Sequence, residues 1–469
     1  MTSTGRLWFA EEGEDWAVIQ GRRAQQLPGF LRQLRDRSAL YADRLSGRDP
    51  AAAGSLEGLA GLPFTTKDDL RDGQAEPAED QVLGLQQAVP TSAIEQVISS
   101  SGTTGNPVYF GLTRRDRETW TEAIGAFYAT AGIGPGSVAG LSTGMPIVAG
   151  GVPYADGIRN AGGALVWFGG QTTPRMVTTI ERLRVNTLVA TASFVTMFAE
   201  KIEEVLGHPA RELGVRTIIS GGEPGMGLPD VRAAVMEKWG AERISEVMGL
   251  GDVMPGLWAE CEAGTGMHFT AVRDVLVELI DPATGDQLPW ETGAEGELVY
   301  TTIRREATPV LRFRSRDHVV ITGMECSCGR KTPKIRCIGR TDDMLIYKAM
   351  NVFPTALREV ALGAAPGEVH EVVKVRKESA DQVRFDEAIP LQVQPLGPLD
   401  EAQESSLRQR IEAAVRERLR VRVAVELVEP GTFTITGDKN SLVTTGPPVA
   451  PRPGAQVHAD ERRTTRSGS

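Results

Sequence analysis

From Val97 to about Glu297 the chain alternates short apolar runs with helical stretches, and this alternation limits the possible folds more than any other feature. Thr187 to Ala190 and Arg216 to Ile219 have the length of buried strands. Pro174 to Arg184 and Pro229 to Trp239 carry apolar residues at helical spacing. Strands and helices in turn give a parallel sheet with helices on its faces, so a wound α/β core is expected. Residues 275–280 and 296–303 read as strands flanking the turn Asp281-Pro-Ala-Thr-Gly-Asp, a β appendage to that core. Residues 17–45 set Leu27, Phe30, Leu31, Leu34 and Leu40 among Arg and Gln, the pattern of an N-terminal covering helix.

After Arg340 the pattern restarts. Pro354 to Leu362 and Leu399 to Leu419 read as helices, and Val369 to Lys377, Ala388 to Val393 and Val421 to Val428 as strands. That is an α+β unit of about 100 residues. At 469 residues with 41% hydrophobic content, the chain has material for at least two domains. From Thr444 onward the composition turns to Pro, Gly, Ser and Arg, and a disordered tail over 444–469 is expected.

The net charge of −10 provides no basic field to recruit DNA or RNA, so nucleic acid is not an expected partner. No stretch approaches 18 uninterrupted apolar residues, and the N-terminus lacks a basic segment leading into an apolar one. The expectation is a soluble cytoplasmic protein with no membrane partner. Four cysteines, three of them within residues 326–337, are too few and too clustered for a disulfide-stapled domain.

Residues 99–107 read Ser-Ser-Ser-Gly-Thr-Thr-Gly-Asn-Pro. Glycines let a backbone approach an anion, successive N–H groups form a nest, and hydroxyls add donors. The ligand expected from such a loop is a nucleoside triphosphate, although a flexible linker has the same composition. The run lacks the Gly-x-x-x-x-Gly-Lys-Ser/Thr pattern of a P-loop.

Ser-Ser-Gly-Thr-Thr-Gly-x-Pro resembles the phosphate loop of the adenylate-forming superfamily, in the branch that contains phenylacetate-CoA ligases. Four further blocks fit that branch in order: Leu-Pro-Phe-Thr-Thr-Lys-Asp-Asp-Leu-Arg (62–71), Gly-Gly-Glu-Pro (221–224), Pro-Val-Leu-Arg-Phe-Arg-Ser-Arg-Asp (309–317) and Gly-Arg-Thr-Asp-Asp-Met-Leu-Ile (339–346). The resemblance runs nearly the whole chain, to about Val443. It implies an α/β fold with a large multi-subdomain N-terminal adenylate-forming domain (1–340), a hinge (341–343) at Asp342 and Asp343, and a small α+β C-terminal lid domain (344–443).

The resemblance also implies roles for individual residues. Ser100, Ser101, Gly102, Thr103, Thr104 and Gly105 would hold the β and γ phosphates of ATP. Asn106 stands where family members usually carry lysine, which leaves either another cation or the backbone donors to meet the pyrophosphate. Gly222, Glu223 and Pro224 would form the adenine turn, and Asp317 would accept from the ribose hydroxyls, with Arg340 over the nucleotide. The family pattern Tyr-Gly-Leu-Ser-Glu becomes Met248-Gly249-Leu-Gly-Asp252 here. Asp252 would then hold Mg2+ as a shorter but still hard oxygen donor, and Met248 would pack at the base. Lys439, in Thr436-Gly-Asp-Lys-Asn, is the candidate to bridge the substrate carboxylate and the α-phosphate. Catalysis would thus rest on Lys439, Asp252 and Arg340.

Cys326-Ser-Cys328, with Cys261 and His268 about 60 residues upstream, offers enough soft ligands for a closed tetrahedral zinc site. Related ligases point to Cys261, His268, Cys326 and Cys328 as the set for a structural Zn2+, with Cys337 as the competing fourth ligand. The reaction expected is ATP-dependent, AMP-forming activation of a small carboxylic acid, aromatic or compact and cyclic, followed by transfer to CoA. The acid would lodge near Ser142 to Val152 and Tyr154. Two alternatives stay open: capture of the adenylate by an amine or a carrier-protein thiol, and a nucleotide-binding protein with weakened catalysis. A homodimer is also open.

Overall fold

The computed structural model describes residues 7–77, 80–100, 107–143, 145–222, 226–227, 229–348, 350–379, 382–433 and 441–447. They divide into two compact units, with the boundary between Met344 and Leu345. In the large unit the strands are β1 (Gln96–Ser99), β2 (Tyr109–Leu112), β3 (Val138–Leu141), β4 (Ala164–Trp167), β5 (Thr187–Ala190), β6 (Thr217–Gly221), β7 (Arg243–Leu250), β8 (Met254–Glu260), β9 (Met267–Phe269), β10 (Leu276–Ile280), β11 (Glu295–Thr301), β12 (Phe313–Gly323) and β13 (Lys334–Arg340). All but β1 and β2 form one sheet, ordered β10-β11-β12-β13-β9-β8-β7-β6-β5-β3-β4.

The stretch from β4 to β7 is parallel, as the alternating sequence predicts. Strand β5 is Thr-Leu-Val-Ala, buried at every position, because helices such as Thr173–Leu183 and Ala192–Leu206 share a core with it. Thr191 starts the second of these helices by accepting from the Phe194 N–H, and Gly207 ends it at φ 75°.

From β7 to β10 the sheet turns antiparallel. Residues 275–280 and 296–303 are therefore not an appendage but the far edge of the same sheet. The reason is the 11-residue strand β12, which pairs with β11 on one side and β13 on the other, while β13 hands the ladder through β9 to β8. The N-terminal cover is likewise not one helix but three: Trp16–Ala24, Leu27–Arg37 and Ala39–Arg44. Pro28 sits in the first turn of the second helix, where its missing N–H costs nothing, and the extended backbone of Ser38 separates the second from the third. Leu27, Phe30, Leu31 and Leu34 are buried together with Leu276 and Leu311.

The small unit contains β14 (Leu345–Tyr347), β15 (Met350–Val352), β16 (Val369–Lys377), β17 (Arg384–Phe385), β18 (Ile389–Pro395), β19 (Val423–Leu427) and β20 (Val443–Thr445). Helices Pro354–Ala364 and Glu401–Leu419 bury Leu357, Leu407, Ile411 and Val415 in a core with the sheet β19-β18-β16-β20. Strand β20 pairs in parallel with β16, so ordered structure passes the point at 444 where the composition predicts a tail. Among the described residues no helix is long and apolar enough to cross a membrane.

Candidate active site and cysteine–histidine cluster

The hairpin β1–β2 brackets the hydroxyl-rich run, whose residues Ser101 to Asn106 lie outside the described residues. The base of the loop is closed by Ser100: its N–H donates to the Val108 carbonyl (2.9 Å), and its Oγ accepts from the Val108 N–H (3.1 Å). Ser100 is thus engaged in shaping the loop. On the other side the Ser99 N–H donates to the Ile147 carbonyl (2.8 Å), which lays the segment 145–149 along the hairpin.

Against this base packs the turn between β7 and β8. A Cβ on Gly251 would lie 3.1 Å from the Ala149 Cβ and 3.4 Å from the Ser100 Cα, so a small residue is needed for the three segments to meet. A Cβ on Gly249 would fall 1.9 Å from the Pro255 carbonyl oxygen, which makes glycine obligatory there. That same carbonyl accepts from the Tyr154 hydroxyl at 2.9 Å, so Tyr154 borders the turn. Met248 is partly buried against the core opposite Trp258.

Asp252 on this turn is buried, and its Oδ1 has no hydrogen-bond partner among the described residues. A hard, buried carboxylate oxygen with no hydrogen bond to hold it fits Mg2+. The Lys67 ammonium stands 3.6 Å from it. Lys67 opens the helix Lys67–Gly73, whose start is held by the capping box of Thr66 and Asp69. The preceding residue Thr65 is stitched to the 309–317 block: its N–H donates to the Arg312 carbonyl (3.0 Å) and its hydroxyl to the Leu311 carbonyl (2.7 Å). Sequence reasoning quoted this block but gave Lys67 no role. The one signal for it was the missing lysine at 106, which left room for a cation from elsewhere as well as for backbone donors.

The arginines before Asp317 divide by function. Arg312 is fully buried and forms a two-pronged pair with Glu278 (3.1 and 2.9 Å), and Arg314 does the same with Glu297 (3.0 and 2.7 Å). These are framework bonds. Asp317 and Arg340 face each other across β12 and β13, with Arg340 Nη1 3.5 Å from the Asp317 carboxylate. Arg340 also grips Asp342 with two bonds (2.9 and 2.7 Å). The Gly221-Gly222 step ends β6, with Gly222 at φ 87°; Glu223 and Pro224 lie outside the described residues, as does Lys439. Just past that turn, Arg232 donates to the Met226 carbonyl (3.1 Å) and pairs with the buried Glu260 (2.6 Å). Burial pushes the neighbouring Glu246 carboxyl up to about 7, with the Glu260 charge adding to the shift.

Cys261, His268, Cys326 and Cys328 are brought together with all ligand atoms within 4.8 Å of one another. Cys261 and Cys326 Sγ atoms are 3.6 Å apart, and Cys328 Sγ is 3.5 Å from His268 Nε2. A tetrahedron with 2.3 Å zinc–sulfur bonds has edges of about 3.8 Å, so the donor set fits zinc in both chemistry and spacing. His268 Nδ1 lies 3.2 Å from the Thr332 carbonyl, the outer bond that orients a ligating imidazole. Hydrogen bonds from Cys261 and His268 hold the Cys328 thiol down, and the Cys261 thiol is pushed up in return. Cys337 is not the fourth member. It sits on β13 with its Sγ directed at the Gly339 carbonyl (3.6 Å).

No protein-family profile matches the chain. It is 33% identical to a phenylacetate-coenzyme A ligase of Thermus thermophilus, over 89% of this chain and 93% of the relative. The chain belongs to the phenylacetate-CoA ligase family. A second member of that family, from Pseudomonas putida, is 30% identical over 89% of this chain and 91% of its own length. Among solved structures, 2-hydroxyisobutyryl-CoA ligase in the postadenylation state in complex with R3-HIB-AMP superposes with a TM-score of 0.83. It is 24% identical and covers 95% of this chain and 94% of that one, which shows a common fold.

Proposed function

We propose that this phenylacetate-CoA ligase family member adenylates a carboxylic acid with ATP, releasing pyrophosphate, and then passes the acyl group to the CoA thiol with loss of AMP. The observation that carries the reading is the meeting of Ser100, Gly251, Asp252 and Lys67, drawn from three blocks far apart in sequence. Joining two anions needs donors and cations aimed at one point, and this is where the chain gathers them.

Within that reading each residue has a task. Residues 100–105 cradle the β and γ phosphates, and Lys67 supplies the charge that Asn106 cannot. Gly222, Glu223 and Pro224 receive the adenine beside Met248 and Gly249. Asp317 holds the ribose and Arg340 steadies it. Asp252 would hold Mg2+, which neutralises phosphate charge when bound. Lys439 bridges carboxylate and α-phosphate, and 341–343 is the hinge on which the small unit moves between the two half-reactions. The cluster of Cys261, His268, Cys326 and Cys328 offers four ligands and leaves no position for a substrate, so a zinc held there would be structural. The acid is aromatic or small and cyclic, taken up beside Ala149 and Tyr154.

The test is acid-dependent pyrophosphate release from ATP across aryl, cyclic and short aliphatic acids, followed by product analysis with CoA, pantetheine and amines. Release with at least one acid and thioester formation with CoA support the reading. An absence of release with every acid sinks it. Lys439→Ala should lose adenylate formation with ATP affinity little changed, and unaltered turnover removes Lys439 from the mechanism.

A further inference from the structure

Asp252 comes from a tight turn, and what fixes that turn is a side chain on another strand connection. Arg305 lies in the loop after β11, 53 residues away in sequence, and its Nη1 donates to the carbonyls of Asp252 (2.9 Å) and Val253 (3.3 Å). Arg305 is 7% exposed, and its guanidinium lies over the rings of Phe110 (5.2 Å) and Trp120 (5.0 Å). Its Nε and Nη2 have no hydrogen-bond partner among the described residues. The Arg305 backbone is itself held. Its N–H donates to the Thr302 carbonyl (3.3 Å), and the next two residues, Glu306 and Ala307, donate to the buried Asp116 carboxylate (2.7 and 3.0 Å).

Burying a guanidinium without pairing it to a carboxylate costs free energy, and packing alone is met better by an apolar side chain of the same size. What a guanidinium adds here is a planar nitrogen, Nη1, whose two N–H bonds point in fixed directions at two successive carbonyls and so set the direction of the Asp252 side chain, where a lysine ammonium would rotate. That direction leaves Oδ1 without a hydrogen-bond partner among the described residues and in a loose ion pair with Lys67 at 3.6 Å.

We infer that Arg305 is the positioning residue that presents the Asp252 carboxylate to the divalent cation accompanying ATP. The inference rests on the reading of Asp252 as the cation's ligand. It adds a second layer to the site: Asp252 touches the cation, and Arg305 acts only through Asp252.

The experiment is a calorimetric measurement of ATP affinity with Mg2+ and with EDTA, in the full chain and with no acid present, so that turnover plays no part. Arg305→Lys keeps the charge but loses the fixed planar donor, and Arg305→Met removes both. Each should lower the Mg2+-dependent gain in affinity by about 10-fold or more, the usual effect of losing a ligand-orienting partner, while affinity in EDTA stays within about 2-fold. In an Asp252→Asn background, Arg305→Lys should add nothing further. Should Arg305→Met fail to fold, Arg305→Lys alone decides. A full Mg2+-dependent gain in Arg305→Lys, alongside its loss in Asp252→Asn, overturns the role of Arg305. A full gain in Asp252→Asn overturns the cation-ligand reading of Asp252 and the role of Arg305 with it.

Discussion

Lys67 and Asp252 form a half-open pair: the aspartate side chain is buried, the lysine side chain is about one-third exposed, and 3.6 Å separates the charged groups. A tight salt bridge would be shorter, and the remaining donors of Lys67 are available to an anion. Lys67→Met should therefore raise the KM for ATP about 10-fold, the effect of losing one charge-assisted phosphate contact of roughly 1.4 kcal/mol, with the KM for the acid unmoved. Steady-state kinetics with each substrate varied in turn checks this, and equal changes in both KM values count against it. Glu246 makes a prediction in pH. Its carboxyl is pushed from an ordinary 4.5 up to about 7 by burial. The folded state thus binds this proton more tightly than the unfolded chain, and the resulting stability is complete below about pH 4.5 and lost as pH rises through about 7. Asp274 is pushed up to about 7 by burial as well, so the wild type alone cannot separate the two. Glu246→Gln keeps Asp274 and removes only its own share. The melting temperature of the variant should fall less between pH 5 and pH 8 than that of the wild type, in parallel thermal scans.

At the scale of elements, Asp116 shows how one side chain ties a helix to a loop. It closes the capping box of the helix Arg114–Ala131 with Thr113 and also accepts from the N–H groups of Glu306 (2.7 Å) and Ala307 (3.0 Å). An ordinary cap is worth about 1 kcal/mol. Asp116→Ala also strands two N–H groups in a buried place, so a loss of about 3 kcal/mol is expected by urea denaturation. A loss no larger than an ordinary cap contradicts the shared role. The elements most legible in the sequence are those whose pattern is complete within themselves. Thr187–Ala190 and Pro229–Trp239 appear where apolar run and helical spacing put them. Partnership was not legible. Nothing in residues 275–280 or 296–303 states that β12 and β13 join them to the parallel half, since a strand's own periodicity is silent about its neighbour. The split of the N-terminal cover into three helices hung on Pro28 and Ser38, two residues inside a pattern that otherwise runs on. For the proposed site, resemblance was what singled out Asp252 and Asp317 in the sequence. Arg305 was not, because it works through backbone carbonyls 53 residues away, and a carbonyl leaves no mark on sequence.

For the whole molecule, the small unit that begins at Leu345 has a hydrophobic core of its own. It draws on Leu345, Leu357, Val373, Leu391, Ile411 and Val425. Each unit therefore has its own reason to fold, and heating should give two transitions. The cysteine–histidine cluster belongs entirely to the large unit, where it joins Cys261, after β8, and His268, on β9, to the segment that carries Cys326 and Cys328. Its reach extends to the N-terminus. Arg330, two residues past Cys328, is buried and pairs with the equally buried Glu12 (3.1 Å), while the Lys331 N–H donates to the Glu12 carbonyl (2.9 Å). A metal that fixes Cys328 would thus fix the turn Ala10–Gly13 and, beyond it, Trp16, which packs edge-on to Phe269 beside His268. Without the metal, four polar ligand groups sit together with their attraction gone, and the cost falls on the large unit alone. Purified protein should contain about one zinc per chain. Stripping it with a chelator should lower the large-unit transition by on the order of 5 °C, open residues 8–24 to protease, and leave the small-unit transition in place. Less than about half an equivalent of zinc, or a chelator effect spread over both transitions, rejects the assignment of this cluster as a structural zinc site.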